Sequence, residues 1–193
     1  MNGLSILTWI LALAALLAAI AVCIAALRLR RPQLALLAAI PVALGLAGIV
    51  FGVDIPAPTH LALVLCGVAA AALGVIGGNP ITVAVLEFAD NRSGGDKVAL
   101  GNNGGILERF EHEGGRPEQR EVLRGGTTIG YLERIVVIAA IATAHWEIVA
   151  VLVAIKGLGR FGELDSPQTR ERFIIGTLVS MVWAGACAAL FAL

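Results

Sequence analysis

The sequence predicts an all-α fold, a multi-pass transmembrane helix bundle, and three observations support this. Apolar residues make up 58% of the 193 positions and charged residues only 15%, whereas soluble domains have about 45–50% and about 25%. The apolar residues fall in uncharged runs of the length that crosses a bilayer as a helix, about 20 residues. All 14 basic residues can be assigned to one side of a six-span arrangement, which exceeds the bias that the positive-inside rule needs. We therefore expect a single membrane domain over residues 1–193.

The first two predicted spans cover about residues 4–27 and 34–53. No positive charge precedes the first apolar run, which is also too long for the core of a signal peptide, so we expect a retained helix. The arginines and proline at 28–32 end that helix. Pro41 lies inside the second span, which a membrane helix tolerates when its neighbours satisfy the freed carbonyl.

The third span covers about residues 61–78 and leads into the motif GGNP, which consists of Gly77, Gly78, Asn79 and Pro80. Asparagine and proline in this order are typical of an N-cap and a first helical position. We therefore expect either a broken helix with an extension to residue 90 or a span that kinks or ends here. A helix broken at membrane depth is typical of a transporter binding site.

Spans four, five and six are predicted at about residues 128–143, 146–159 and 169–193. Spans four and five reach only roughly 24 Å or less at 1.5 Å per residue, short of a hydrocarbon core of about 30 Å. Two arrangements stay open for this pair. It forms either a compact hairpin that crosses the membrane or a re-entrant pair.

A polar loop at residues 91–126 separates spans three and four and contains four Gly-Gly pairs. We expect short surface helices within it at ILERFEH and PEQREVLR. The distribution of basic residues places this loop in the cytoplasm and both chain termini outside. The expected location is the cytoplasmic membrane of a bacterial cell.

Charged residues converge at the expected inner ends of spans four, five and six. They are Glu133, Arg134, Lys156, Arg160, Arg170 and Arg172. Lys156 and Arg160 share one helix face because they are four residues apart, and Glu133 can pair with either of them or with Arg172. The surplus of positive charge, together with the N-terminal dipole of span six, predicts a site for an anionic group. Topology signals combined with structural ion pairs are the alternative interpretation.

The C-terminal half also carries a resemblance to known sequences. The segments LRGGTTIGYLERIVV, VLVAIKGLGRFGEL and RERFIIGTLVSMVWA, within about Leu123–Ala188, resemble an uncharacterised actinobacterial integral membrane protein family. A more distant likeness is to bacterial membrane proteins that contain a domain of unknown function. The resemblance implies that the charged cluster is a unit, and it implies no particular activity.

Three function classes follow from these features. The first is a non-enzymatic membrane protein whose charged cluster binds an anionic lipid head group, a ligand or a partner. The second is a small transporter or channel, which the GGNP motif and Glu87 favour. The third is a membrane enzyme acting on a lipid phosphate, for which Glu133 and Glu87 are the only plausible acids, and we rank it last.

Several other patterns predict no additional chemistry. The net charge is zero, which by itself predicts no nucleic-acid partner. The three cysteines lie in apolar runs without a CxxC pair, so we expect neither a disulfide framework nor a metal site. The motif GLGRFG closes an apolar span instead of opening a helix after a strand, so it does not predict a dinucleotide site. We expect no cofactor and expect membrane lipids as partners, and a homo-oligomer is left open.

Overall fold

The uncharged runs of Leu, Ala, Ile and Val form helices in the computed structural model of this chain, which describes residues 3–53, 55–93, 107–110, 118–121, 126–160 and 167–192. A helix satisfies its backbone donors and acceptors within its own segment, as an apolar environment requires. The α-helices are α1 (Gly3–Arg28), α2 (Ala39–Val50), α3 (His60–Ser93), α4 (Gly126–Ala142), α5 (Glu147–Arg160) and α6 (Pro167–Ala192). A 3-10 helix (Pro32–Ala38) leads directly into α2.

The predicted all-α class is confirmed. Within the described part of the chain, four helical segments are long and apolar enough to cross a membrane: Gly3–Arg28, Pro32–Val50, His60–Ala89 and Arg170–Ala192. These segments correspond to predicted spans one, two, three and six. Large apolar side chains are exposed along them, for example Leu4 at 73% and Leu44 at 68%, and such surfaces are compatible with a membrane location.

The helices α4 and α5 are shorter, with 17 and 14 residues, or roughly 26 and 21 Å. Neither is among the four long apolar segments. Among the described elements, the backbone of α5 approaches only α4. The count of six spans and the outside location of the termini therefore stay predictions.

Neither a break nor the end of the span is observed at Gly77, Gly78, Asn79 and Pro80, because all four residues lie within the continuous helix α3. A kink, the other alternative, stays a prediction. Pro80 cannot donate a backbone hydrogen bond, but side chains of neighbouring helices donate to α3 carbonyls just before it. Trp183 Nε1 donates to the carbonyl of Leu73 at 3.2 Å, and Arg134 Nε donates to that of Val75 at 2.8 Å. The carbonyl that Pro80 leaves without a helical donor is that of Ile76, four residues earlier. The two side-chain bonds instead attach the neighbouring segment of α3 to α4 and α6.

The expected short helices in the loop are also not observed. The described segments there form an antiparallel hairpin of β1 (Leu107–Phe110) and β2 (Glu118–Glu121), in which Leu107 pairs with Glu121. The remainder of the predicted loop, between Ser93 and Gly126, lies outside the described residues.

Helix α3 lies at the centre of the bundle and packs against α1, α4 and α6. Its glycines permit this close approach. A Cβ at Gly74 would lie 2.9 Å from Ile138 Cδ1 of α4 and 3.1 Å from Cys187 Cβ of α6. A Cβ at Gly77 would lie 2.9 Å from Trp183 Nε1 and 3.2 Å from Cys23 Sγ of α1. Small residues at such contacts allow membrane helices to pack closely.

The same contacts fix the directions of the helices. Gly74 faces Ile138 whereas Gly78 faces Arg134, so α3 and α4 run antiparallel. Arg134 contacts Ser180 whereas Ile141 faces Gly185, so α4 and α6 run parallel. We call the end of the bundle where α3 finishes and α4 and α6 begin the loop end.

The glycine contact at position 77 generates a testable prediction. We expect Gly77→Ala to destabilise the bundle by about 1–3 kcal/mol, the usual cost of overpacking a core, because Trp183 and Cys23 leave no room for a methyl group. The measurement is the free energy of unfolding of the purified protein in mixed micelles.

The matched control is Gly48→Ala on α2, where a Cβ would have nothing within 4 Å. This variant should be as stable as the parent or slightly more so, because alanine favours the helix. Equal stability of the two variants would contradict the packing of α1, α3 and α6.

Candidate functional site

The side chain of Arg134 is buried between three helices. It is only 2% exposed and is the largest of the fully buried side chains among the described residues. Burial of a guanidinium is costly unless hydrogen bonds and an opposite charge compensate for the lost water. The contacts of this one side chain therefore decide what the site can do.

Two of the three guanidinium nitrogens of Arg134 have hydrogen-bond partners. Nε donates to the backbone carbonyl of Val75 on α3 at 2.8 Å, and Nη1 donates to Ser180 Oγ on α6 at 3.1 Å. The guanidinium carbon lies 5.0 Å from the centre of the Tyr131 ring, within cation–π range. Nη2 is buried and has no hydrogen-bond partner within the part of the chain that the structure describes.

Two glycines create the space that the guanidinium fills. A Cβ at Gly78 would lie 2.7 Å from Arg134 Nε, so no larger residue fits beside it on α3. On α4, a Cβ at Gly130 would lie 3.3 Å from Nη1 and 3.8 Å from Nη2. Gly130 precedes Arg134 by four residues and therefore lies on the same helix face. The GGNP motif thus provides room for Arg134 and does not break the helix.

The level of Arg134 along the bundle differs from the expectation. It is the ninth of 17 residues in α4, and its partner Val75 lies roughly 22 Å along α3 from His60 and roughly 21 Å from Ala89. The guanidinium is therefore near the middle of the apolar part of α3. The sequence places Arg134 one turn inside the inner end of span four, whereas the structure places it about two turns inside α4, which begins at Gly126, with its side chain buried in the bundle.

Glu133 forms an ion pair with Lys156, one of the three pairings that the sequence allows. Lys156 Nζ lies 2.5 Å from Glu133 Oε2, and the two side chains are 18% and 8% exposed. Lys156 Nζ also lies 5.6 Å from the centre of the Phe173 ring. This neutral pair links α5 to α4. Arg134 forms no salt bridge within the described residues, so its charge has no acidic partner there.

Of the other predicted site residues, two lie nearer the loop end, and the side chain of the third is outside the described part of the structure. Arg170 and Arg172 belong to the first two turns of α6, and Arg172 precedes Ser180 by roughly 12 Å along the helix axis. Arg160 is the last residue of α5, and its side chain lies outside the described part of the structure. The structure therefore groups Glu133, Arg134 and Lys156, and it adds partners that sequence reasoning missed.

The missed partners carry only weak sequence signals. Val75 contributes a backbone carbonyl, which no side-chain pattern can indicate. Ser180 belongs to a small-xxx-small face that begins at Gly176, a pattern that predicts close helix packing and not a hydrogen bond to arginine. Gly130 is the most direct sequence signal that Arg134 is buried, because a glycine four residues earlier on the same helix face leaves space for the guanidinium.

The arrangement defines a class of protein by its fold and site. It is an all-α bundle with four helices long and apolar enough for a membrane, and it holds a buried arginine at the centre. Among the described residues, no group of three or more His, Cys, Asp or Glu side chains is placed to hold a metal ion. No protein-family model, no curated protein and no solved structure matches this chain.

The ion pair between α4 and α5 generates a prediction. We expect Glu133→Gln and Lys156→Met each to lower the free energy of unfolding, and the double variant to lose less than the sum. The reason is that each single substitution leaves one buried charge without its partner. A double-mutant cycle in mixed micelles should give a coupling energy of about 1–3 kcal/mol.

Glu171→Gln on the exposed surface of α6 serves as the control. It should change stability by less than about 0.5 kcal/mol, as surface substitutions usually do. Additive effects of Glu133→Gln and Lys156→Met would rule out an energetically significant pair.

Proposed function

We propose that this chain is an integral protein of the bacterial cytoplasmic membrane that binds an anionic ligand at Arg134. In this proposal the chain crosses the membrane six times, with both termini outside and residues 91–126 in the cytoplasm. The distribution of basic residues supports this orientation. The antiparallel order of α3 and α4 and the parallel order of α4 and α6 agree with it.

The observation that carries the proposal is the incomplete pairing of the Arg134 guanidinium. Nη2 is buried with no hydrogen-bond partner, and no carboxylate is paired with Arg134, in both cases within the described residues. A buried donor without a partner costs about 1–3 kcal/mol, and more when it is charged. An anion that accepts a hydrogen bond from Nη2 offsets both the unmade bond and the unbalanced charge.

The depth of Arg134 favours a ligand that enters the bundle over a lipid head group at the membrane surface. The guanidinium lies near the middle of α3, whereas head groups lie at the ends of membrane spans. Arg170 and Arg172, at the beginning of α6, are better placed for anionic lipid. Anionic membrane lipids stay the proposed surrounding partners, and self-association of the chain stays open.

Transport of the anion is the second candidate function, and the same depth supports it. Substrate sites of secondary transporters lie near the bilayer midplane, as Arg134 does if α3 crosses the membrane. A membrane enzyme acting on a lipid phosphate ranks last, because Glu133 is already paired with Lys156. Membership of the actinobacterial family also stays a prediction.

Anion-dependent stability tests the proposal. The purified full chain in an uncharged detergent is titrated with sodium nitrate, chloride or phosphate at constant ionic strength, and its melting temperature is recorded. A ligand that binds only the folded state stabilises it by about 2.7 kcal/mol at one hundred times its Kd. We expect the melting temperature of the parent protein to rise with at least one of these anions.

The decisive variant is Arg134→Met, which removes the charge and keeps an unbranched side chain. This substitution loses two hydrogen bonds but also removes the cost of burying a charge without a salt bridge, so this variant should fold but lose the anion-dependent rise. Arg170→Gln, an exposed position on α6, should keep it. An anion response that survives in Arg134→Met, or that is absent from the parent protein with every anion, would refute the proposal.

A further inference from the structure

A layer of small residues lies next to Arg134, one helical turn closer to the loop end. Thr82 follows Gly78 by four residues on α3, Gly130 precedes Arg134 by four on α4, and Gly176 precedes Ser180 by four on α6. The helix directions put all three on the loop side of the guanidinium. A Cβ at Gly176 would lie 3.5 Å from Thr82 Cγ2, so these two positions face each other.

Two buried donors without partners border this layer. Arg134 Nη2 lies 3.8 Å from the Cβ position of Gly130, so it faces the layer from the side of α4. Thr82 belongs to the layer on α3, where its Cγ2 faces Gly176, and its Oγ1 is likewise buried with no hydrogen-bond partner in the described part of the chain. They are the only two such side-chain atoms among the described residues. Their position on either side of one small-residue layer is the observation that carries the inference.

We propose that the Thr82, Gly130 and Gly176 layer is the anion subsite, and that it takes a small monovalent anion held by Arg134 Nη2 and Thr82 Oγ1. This rests on the proposed function and specifies its ligand class. The hydroxyl donates to the anion as a neutral group, and the guanidinium supplies the charge. Such charge-assisted bonds are stronger than neutral ones.

The charge balance of the surroundings selects a monovalent ion. Arg134 contributes one positive charge, and the neighbouring Glu133–Lys156 pair is neutral. A monovalent anion therefore leaves the buried site neutral, whereas a divalent anion leaves an uncompensated negative charge, which is costly in an apolar interior. The layer is narrow, because Arg134 Nη1 lies 3.3 Å from the Cβ position of Gly130, and Thr82 Cγ2 and Leu86 Cδ1 lie 3.5 and 3.7 Å from that of Gly176. This favours an anion of a few atoms over a bulky one.

A free ion and the phosphodiester of a lipid head group share this chemistry, because both present a singly charged oxygen acceptor. The layer lies inside the bundle, more than two helical turns from the start of α6. A lipid head group could reach it only if its glycerol and acyl chains also entered between the helices. We therefore commit to the free ion, and nitrate is the probe. Gluconate tests size, sulfate tests charge, and micelles containing phosphatidylglycerol test the lipid source.

The experiment compares nitrate affinity across matched variants of the full chain in uncharged detergent. Thr82→Val removes the hydroxyl and keeps the shape, and we expect it to raise the nitrate Kd about tenfold, the effect of losing one hydrogen bond to a charged group. Thr143→Val is its control, because the Thr143 hydroxyl bonds the carbonyl of Ala139 on α4, away from the layer. It should leave the Kd unchanged.

A second pair of variants tests the space instead of the hydroxyl. Gly130→Ala places a methyl group 3.3 Å from Nη1 and 3.8 Å from Nη2, and it should also weaken nitrate binding at least tenfold. Gly185→Ala is its control, because a Cβ there would lie 3.4 Å from Ile141 Cδ1 at the same α4–α6 interface, away from the layer. If Thr82→Val does not fold, this pair alone tests whether nitrate binds at the layer.

The outcomes separate the inference from the function on which it rests. Weaker nitrate binding in Thr82→Val and Gly130→Ala, with both controls unchanged, supports the subsite. Loss of binding in Arg134→Met alone, with the layer variants unchanged, overturns the subsite and leaves the function intact. Tighter binding of sulfate, gluconate or phosphatidylglycerol than of nitrate overturns the ligand class only. No response of the parent protein to any anion overturns both.

Discussion

The arrangement of the bundle depends on how Arg134 reaches across to the backbone of α3. Its Nε binds the carbonyl of Val75 while its Nη1 binds Ser180, so one side chain joins α4 to both neighbouring helices. A long, charged side chain can take this position only where the opposing helix has no side chain, and Gly78 meets that condition. One turn nearer the loop end on the same face of α3, the guanidinium would meet Thr82 instead of Gly78. The glycine and the arginine therefore set the relative level of three helices.

Close packing around α3 holds the helices together. Between helices in lipid there is little hydrophobic driving force, so van der Waals contact and interhelical hydrogen bonds hold them together. Glycines at 74 and 77 bring α1, α4 and α6 within contact of the α3 backbone, and the indole of Trp183 donates to the carbonyl of Leu73. The segment around Pro80 stays helical within this packing. The helix with the most glycine is thus the one on which the others assemble.

Two adjacent charges on α4 have opposite roles because adjacent helix residues point in different directions. Glu133 turns toward α5 and is neutralised by Lys156. Arg134 turns toward α3 and α6, where its partners are neutral oxygens, and it also lies over the ring of Tyr131 on its own helix. The ion pair of Glu133 and Lys156 therefore attaches α5 to α4, whereas Arg134 holds a positive charge at the centre of the bundle. Within the part of the chain that the structure describes, Nη2 of this central charge is a buried donor without a hydrogen-bond partner.

The sequence by itself determined the all-α class, the position of the long apolar helices and the acid–base grouping of Glu133 with Lys156 as one option of three. These properties follow from composition and helical periodicity, which are local. The tertiary structure decided that Gly77–Pro80 continues α3, because interhelical packing and hydrogen bonds outweigh the helix-breaking tendency of proline. It also decided that Arg134 is central instead of at a helix end. Which way a side chain points, and which backbone carbonyl meets it, depends on the rotation and level of helices far apart in the sequence, and no spacing within one helix encodes that.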